Sequence, residues 1–207
     1  MVIQFKKLSM KKSTFGLIII VTTLMVTYFV LSLYFFPKYY LVHTYLSHPK
    51  PYIKDLSISN SEVSLGEPFY VSIAGGNNGS QADIQIISIA LPSLTNIKRG
   101  NEVKILSYNF SQKPLIVEKG DSIGSRYEGQ SKTIAAEYPS IQFYSRPWKS
   151  GMVYGAQLEL YPLSKGKFTM LIKTVTLPNT DSSSHYPNAG IRDYQDEYVN
   201  RYQVSVK

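Results

Sequence analysis

The sequence predicts an all-β fold, an antiparallel β-sandwich preceded by one N-terminal transmembrane α-helix. Three observations carry this. Residues 15–36 run for 22 positions without a charge, just after Lys6, Lys7, Lys11 and Lys12. From Tyr52 onward the chain breaks into short alternating apolar and polar runs punctuated by turn residues, the pattern of strands with one face buried. There is no cysteine, so disulfide-stapled folds are excluded and an exported domain must rest on its apolar core.

A 22-residue helix would reach about 33 Å, enough for a hydrocarbon core of about 30 Å. The run lacks a small-residue cleavage site and is longer than a signal-peptide apolar region, so it reads as an uncleaved anchor. Lysine-rich flanks stay on the cytoplasmic side. Residues 1–14 are therefore expected as a basic cytoplasmic tail, 15–36 as the single span through the lipid bilayer, and everything beyond as outside the cell membrane. Tyr39, Tyr40 and Tyr45 suit the outer headgroup zone. Residues 37–51, with Pro37, Pro49 and Pro51, read as a stalk.

Residues 52–207 are long enough for one domain with a core. Ile53 to Ile58 reads as the first strand; Val63 and Leu65 point inward after a turn; Phe69 to Ala74 forms the next strand, and Gly75 to Ser80 a loop. Ile84, Ile86, Ile87, Ile89 and Leu91 alternate with one slip, which requires either a bulge or burial on both faces. Val103 to Phe110 is a further strand. Leu115 to Val117, Thr133 to Ala136 and Ile141 to Tyr144 suit short strands within a long insertion at 111–150. Gln157 to Tyr161 alternates, Pro162 to Gly166 turns a corner, and Phe168, Met170 and Ile172 share a face opposite Leu171 and Val175. Tyr202, Val204 and Val206 close the chain.

Leu56, Ile58, Val63, Leu65, Gly66-Glu67-Pro68, Phe69, Val71, Ile73 and Asn78-Gly79 together resemble the opening of immunoglobulin-like modules of the CARDB type, found in membrane-anchored prokaryotic surface proteins. The Pro162–Gly166 corner followed by Phe168 is a second similarity. The resemblance covers about a quarter of the chain and implies an Ig-like sandwich with a binding or spacer role. It also implies that residues 178–197 and the 75–80 loop lie at the end where the first strand begins. The chain departs from such modules in its insertions at 111–150 and 178–197.

Positive charge is partly the tail: all 14 acidic residues but only 18 of the 22 lysines and arginines lie beyond the span, so that part carries +4. This is weak for nucleic acid, and no stacking motif accompanies it. Gly120-Asp121-Ser122-Ile123-Gly124 fits a nucleophile-elbow pattern but lacks a strand–turn–helix context. His43, His48 and His185 are not spaced as ligands on one helix face. Asp193, Asp196 and Glu197 offer oxygens for calcium but match no EF-hand spacing, so solvated acids are the simpler reading. No cofactor, metal or catalytic residue is assigned, and an enzyme is not expected.

Candidate partner contacts are Tyr186, Tyr194 and Tyr198, in a segment long for a loop, and Trp148 with Tyr144 in a Gly/Pro-rich turn. Trp148 would otherwise cap one end of the core. Ile191, Tyr194, Tyr198 and Tyr202 fall at helical spacing, which predicts a short helix after Asn188. Asn78 and Asn109 head glycosylation sequons. The function expected is a single-pass membrane-anchored binding module contacting another membrane or surface protein. The alternative is an accessory subunit of a multi-chain membrane complex.

Overall fold

The computed structural model describes residues 12–35, 48–97, 101–125, 132–177 and 184–207. The expectations for Tyr39, Tyr40, Tyr45, His43 and most of the stalk lie outside them. The chain divides into two compact units, Met1–Leu46 and Ser47–Lys207.

In the first unit α1 (Lys12–Phe35) is a helix of 24 residues. Thr23 settles its hydroxyl on the Ile19 carbonyl within the helix, at 2.8 Å. Among the described residues no helix is long and apolar enough to cross a membrane, the described side chains of α1 being Gly16 and Ile19–Val30.

The second unit is a two-sheet sandwich built from β1 (Pro51–Ile58), β2 (Glu62–Val63), β3 (Phe69–Asn77), β4 (Ile84–Ala90), β5 (Val103–Tyr108), β6 (Leu115–Val117), β7 (Ser122–Ser125), β8 (Lys132–Ala135), β9 (Ser140–Ser145), β10 (Val153–Leu160), β11 (Gly166–Leu177), β12 (His185–Tyr186), β13 (Ile191–Arg192) and β14 (Tyr198–Val206). The smaller sheet has the order β1-β3-β10-β5, and the larger β13-β14-β11-β4-β9-β6. Seven of these strands reproduce the ABED and CFG arrangement of an immunoglobulin sandwich, with β14, β11 and β4 as the second sheet. β2 adds to β14 in parallel. The insertion at 111–150 falls between β5 and β10 and supplies β6, β9 and the β7–β8 hairpin.

Alternation dictates the core. Phe69, Val71 and Ile73 of β3 face Phe168, Met170 and Ile172 of β11, all buried. The Phe69 and Phe168 rings meet edge to face at 5.2 Å. Ile172 is 1% exposed. The slip in β4 is resolved as burial on both faces, since its pairing with β11 and β9 runs without a break. Gln85, Ile87 and Ile89 pair with Thr176, Thr174 and Ile172 on the inner side, while Ile86, Ser88 and Ala90 face outward.

Three expectations need correction. Leu65 is exposed, because its backbone turns to bond the Lys207 carbonyl and only Val63 enters the core. Gly75 and Gly76 continue β3 rather than forming a loop, each paired with β1 on one side and β10 on the other. The sandwich begins before Tyr52: Asn77, wholly buried, accepts from the Lys50 and Gly79 amides at 2.8 and 3.0 Å and donates to the Ser80 carbonyl at 2.6 Å. Gly79 is required there, because a Cβ would lie 1.9 Å from the His48 carbonyl oxygen.

Candidate functional site

The outer face of the larger sheet is where the two insertions converge. On β11 the outward residues are Leu171, Lys173 and Val175, in register with Ala90, Ser88 and Ile86 of β4. Beyond them on β9 stand Ser140, Gln142 and Tyr144. Lys173 therefore occupies the middle of this face in a polar row with Ser88 and Gln142.

The expected helix after Asn188 is instead a β-hairpin. Ile191 and Arg192 pair with Val199 and Tyr198. Its tip is shaped by Asp193, whose Oδ1 accepts from the amides of Gln195 at 2.8 Å and Glu197 at 3.1 Å. An Asp that satisfies amides two and four residues on favours a tight turn over a helix. Asp196 takes φ 64° within that turn, an αL conformation that Asp tolerates.

β11 and the hairpin's own turn place three charges together beneath this hairpin. Lys173 Nζ donates to Asp193 Oδ2 at 2.6 Å and to Gln195 Oε1 at 2.7 Å, and it pairs with Glu197 Oε2. The three charged side chains are 8%, 4% and 9% exposed. A lysine so buried requires paired acceptors, because the desolvated ammonium is otherwise prohibitive. Asp193 and Glu197 are thus committed to Lys173, and Asp196 pairs instead with Arg192 at 2.7 Å. The acids considered for calcium hold side-chain cations. Among the described residues no group of His, Asp and Glu is arranged to hold a metal.

Beside this cluster an open cleft of about 520 Å³ runs between Tyr138, Tyr194, Leu171, Arg201, Glu137 and Ser93. Leu171, which lines the cleft, belongs to a small buried apolar cluster with Ala90 and Val199, against which Tyr138 packs. Tyr194 meets Tyr138 edge to face at 4.8 Å. Burial, then the Asp193 charge, pushes the Tyr194 phenol up to about 12. The same two causes, in the same order, push Tyr138 higher still. The Tyr138 hydroxyl is buried, and the nearby Tyr194 amide does not reach it in hydrogen-bond geometry.

The structure separates the residues expected to make contacts. Tyr194 lies over the outer face. Tyr186 sits opposite Thr174 in the register of the inner face and is 36% exposed at the sheet edge. The Arg192 guanidinium lies over the Tyr198 ring, 4.6 Å from the ring centroid, and its Nη2–H donates to the Tyr198 hydroxyl at 3.0 Å. Tyr144 is half-buried on the outer face. Trp148 is fully buried and is not a contact residue: its ring packs on Tyr154 and Phe110, and Nε1–H donates to the Met152 carbonyl at 2.9 Å.

The 77–80 turn does lie at the end where β1 begins, as Pro51 pairs with Asn77. The 191–198 hairpin departs from expectation, lying over the face instead of projecting from that end. Ser122 of the G-x-S-x-G motif sits on the β7–β8 hairpin, and among the described residues no helix follows it. Asn78 and Asn109 are exposed, and Asn109 Oδ1 accepts from the Gly155 amide at 2.7 Å. Lys173 and Arg201, central to this face, were not singled out in the sequence. A lysine between Ile172 and Thr174, within the alternating run from Phe168 to Leu177, was the available signal.

No protein-family model matches the chain, and no curated protein matches it. Solved structures similar to it include a β-glucosidase from Listeria innocua, at 13% identity and TM-score 0.35, covering 77% of this chain and 16% of that one. Another is a CARDB domain from Pyrococcus furiosus in complex with di-metal ions, at 10% identity and TM-score 0.32, covering 79% and 90%. A putative membrane anchored protein from Corynebacterium diphtheriae matches at 17% identity and TM-score 0.31, covering 77% and 34%. The chain thus spans about a sixth of the glucosidase's length. These likenesses are distant, and the Ig-like assignment rests on strand order.

Proposed function

We propose that this chain is a single-pass membrane protein whose Ig-like sandwich stands outside the cell and binds another membrane or surface protein without catalysis. The observation that carries this reading is the uncharged run 15–36 behind four lysines, which lies almost wholly within α1. From Ile19 to Val30 the apolar side chains are exposed on every side of the helix, with Leu24 and Met25 at 65% and 70%. A lipid phase is the environment that suits such a surface, and lysine asymmetry keeps the N-terminus in the cytoplasm.

The binding surface we assign to the outer cleft of the larger sheet. Tyr194 and Leu171 give it apolar area, and Arg201 gives it an exposed guanidinium, a combination that suits a protein partner. In this reading the sandwich is a CARDB-type module.

Two measurements test it. Protease added to intact cells, or to spheroplasts where a wall intervenes, should remove a C-terminal tag and spare the N-terminus. A protected tag would reverse the topology. Photo-crosslinking from Arg201 should capture a partner, while the same probe at Ser164, in the far corner, should not. Crosslinks only from Ser164 would move the surface. Co-purification of a fixed set of membrane proteins in mild detergent would favour the accessory-subunit alternative.

A further inference from the structure

We infer that Lys173 and Asp193 are a site of self-modification, joined by an intramolecular amide bond between Lys173 Nζ and Asp193 Cγ, with Glu197 carrying the proton. The inference rests on the geometry of the buried cluster and is independent of what the domain binds.

An amine and a carboxylic acid condense only when held together, both in neutral form, away from water. The cluster holds the two groups together and away from water. Lys173 Nζ is 2.6 Å from Asp193 Oδ2, so the nucleophile already touches the group it must attack. Held contacts of this kind replace a collision with an intramolecular step, which is worth several orders of magnitude in rate. All three side chains are about nine-tenths buried or more, so bulk water does not compete for the reacting atoms.

The roles of the two acids are set by their hydrogen bonds. Asp193 Oδ1 faces the amides of Gln195 and Glu197, two fixed donors at 2.8 and 3.1 Å. These stand where negative charge would collect if Cγ became tetrahedral, as in an oxyanion hole. Glu197 Oε2 contacts Nζ and is the acid left to shuttle a proton. Gln195 Oε1, at 2.7 Å, holds the third Nζ hydrogen and aims the nitrogen.

The step balances without a co-reactant. One proton passes from Nζ to Asp193 Oδ2, leaving a neutral amine. Its lone pair attacks Cγ, the electron pair of the C=O bond moves to Oδ1, and the nitrogen, now carrying a positive charge, gives its second proton to Glu197. Collapse restores the C=O bond and breaks the bond from Cγ to Oδ2. Glu197 returns its proton to Oδ2, which leaves as water. Nζ keeps one hydrogen as the amide N–H, and one positive and one negative charge disappear together. A cavity of about 10 Å³ lined by Ser88, Ser140, Lys173 and Asp193 adjoins the reacting atoms, a size that admits about one water. The product would tie β11 to the 191–198 hairpin in a chain that has no cysteine to do so.

The test is the mass of the full chain, extracted from membranes in mild detergent and then denatured, followed by peptide mapping. The expected result is a deficit of one water, located to a branched peptide joining Lys173 to Asp193, with trypsin no longer cleaving after Lys173. Lys173→Met and Asp193→Ala should each abolish the branched peptide, and Glu197→Gln, which keeps the side-chain shape, should leave the linear peptides unjoined. Linear peptides with unmodified Lys173 and Asp193 in the wild-type chain would overturn the proposal. So would a water deficit located elsewhere. A branched peptide that survives in Glu197→Gln would overturn the role given to Glu197.

Discussion

The two outer faces of the sandwich carry the same kinds of side chain in opposite conditions. On the smaller sheet Lys104 pairs with Glu159 at 3.1 Å and with the Tyr161 hydroxyl at 3.0 Å, and Tyr70 donates to Glu159 at 3.2 Å. That group is open to water on its lysine side, 51% exposed, with Glu159 at 13%. On the larger sheet Lys173 meets two carboxylates under a hairpin, 8% exposed. Water screens the first set and competes for every bond in it, so removing one partner leaves the others solvated. No solvent can replace a missing partner in the second. The lesson is that cover, more than the list of contacts, decides what a charge pair contributes.

Four changes would break or sharpen that contrast, from the largest expected effect down. Lys173→Met leaves Asp193 and Glu197 buried without the Lys173 nitrogen they hold and should cost about 3–5 kcal/mol in urea unfolding of the full chain. Lys104→Met should barely move the midpoint, and equal losses would erase the distinction. Ile172→Ala, which empties space between the sheets, should cost roughly 2–5 kcal/mol by the same measurement. The third change is of pH. Tyr194 ionises at about 12 in the fold against 10.0 ordinarily, so the native state holds its proton longer than the unfolded chain. Its contribution is complete below pH 10 and is lost as pH rises through 12. Thermal scans across that window should show a fall that Tyr194→Phe reduces; an identical fall in the variant would place Tyr194 in solvent. Last, Leu106→Ala on the bare face should shift stability by no more than about 0.5 kcal/mol.

Much of the sandwich was legible because period-two alternation is a local signal. Phe168, Met170 and Ile172 announced their shared face, and the corner at 162–166 announced its turn. The hairpin at 191–198 was not legible. Ile191, Tyr194 and Tyr198 mimic a helical row, and what overrides that spacing is Asp193, fixed by a lysine 20 positions earlier on another strand. Gly75 and Gly76 read as a loop because glycine marks turns, yet here they sit in a strand crowded from β1: a Cβ at Gly75 would lie 3.0 Å from the Tyr52 carbonyl oxygen. Trp148 offered two readings that composition could not separate; the surrounding rings of Phe110 and Tyr154, one of them 38 residues away, make it core.

The parallel pairing of β2 with β14 has a mechanical consequence. Pro51 and Asn77 mark one end of the sandwich, and Val63, Gly166 and Val206 the other. Tension applied at residue 48 and at residue 207 therefore runs along the strands. It falls in shear on the bonds from Ser205 to Ser61, Lys207 to Val63 and Leu65 to Lys207. Loaded side by side, these bonds must fail together, whereas a hairpin pulled from its open end yields one rung at a time. A domain loaded between those two ends would resist stretching through this short patch.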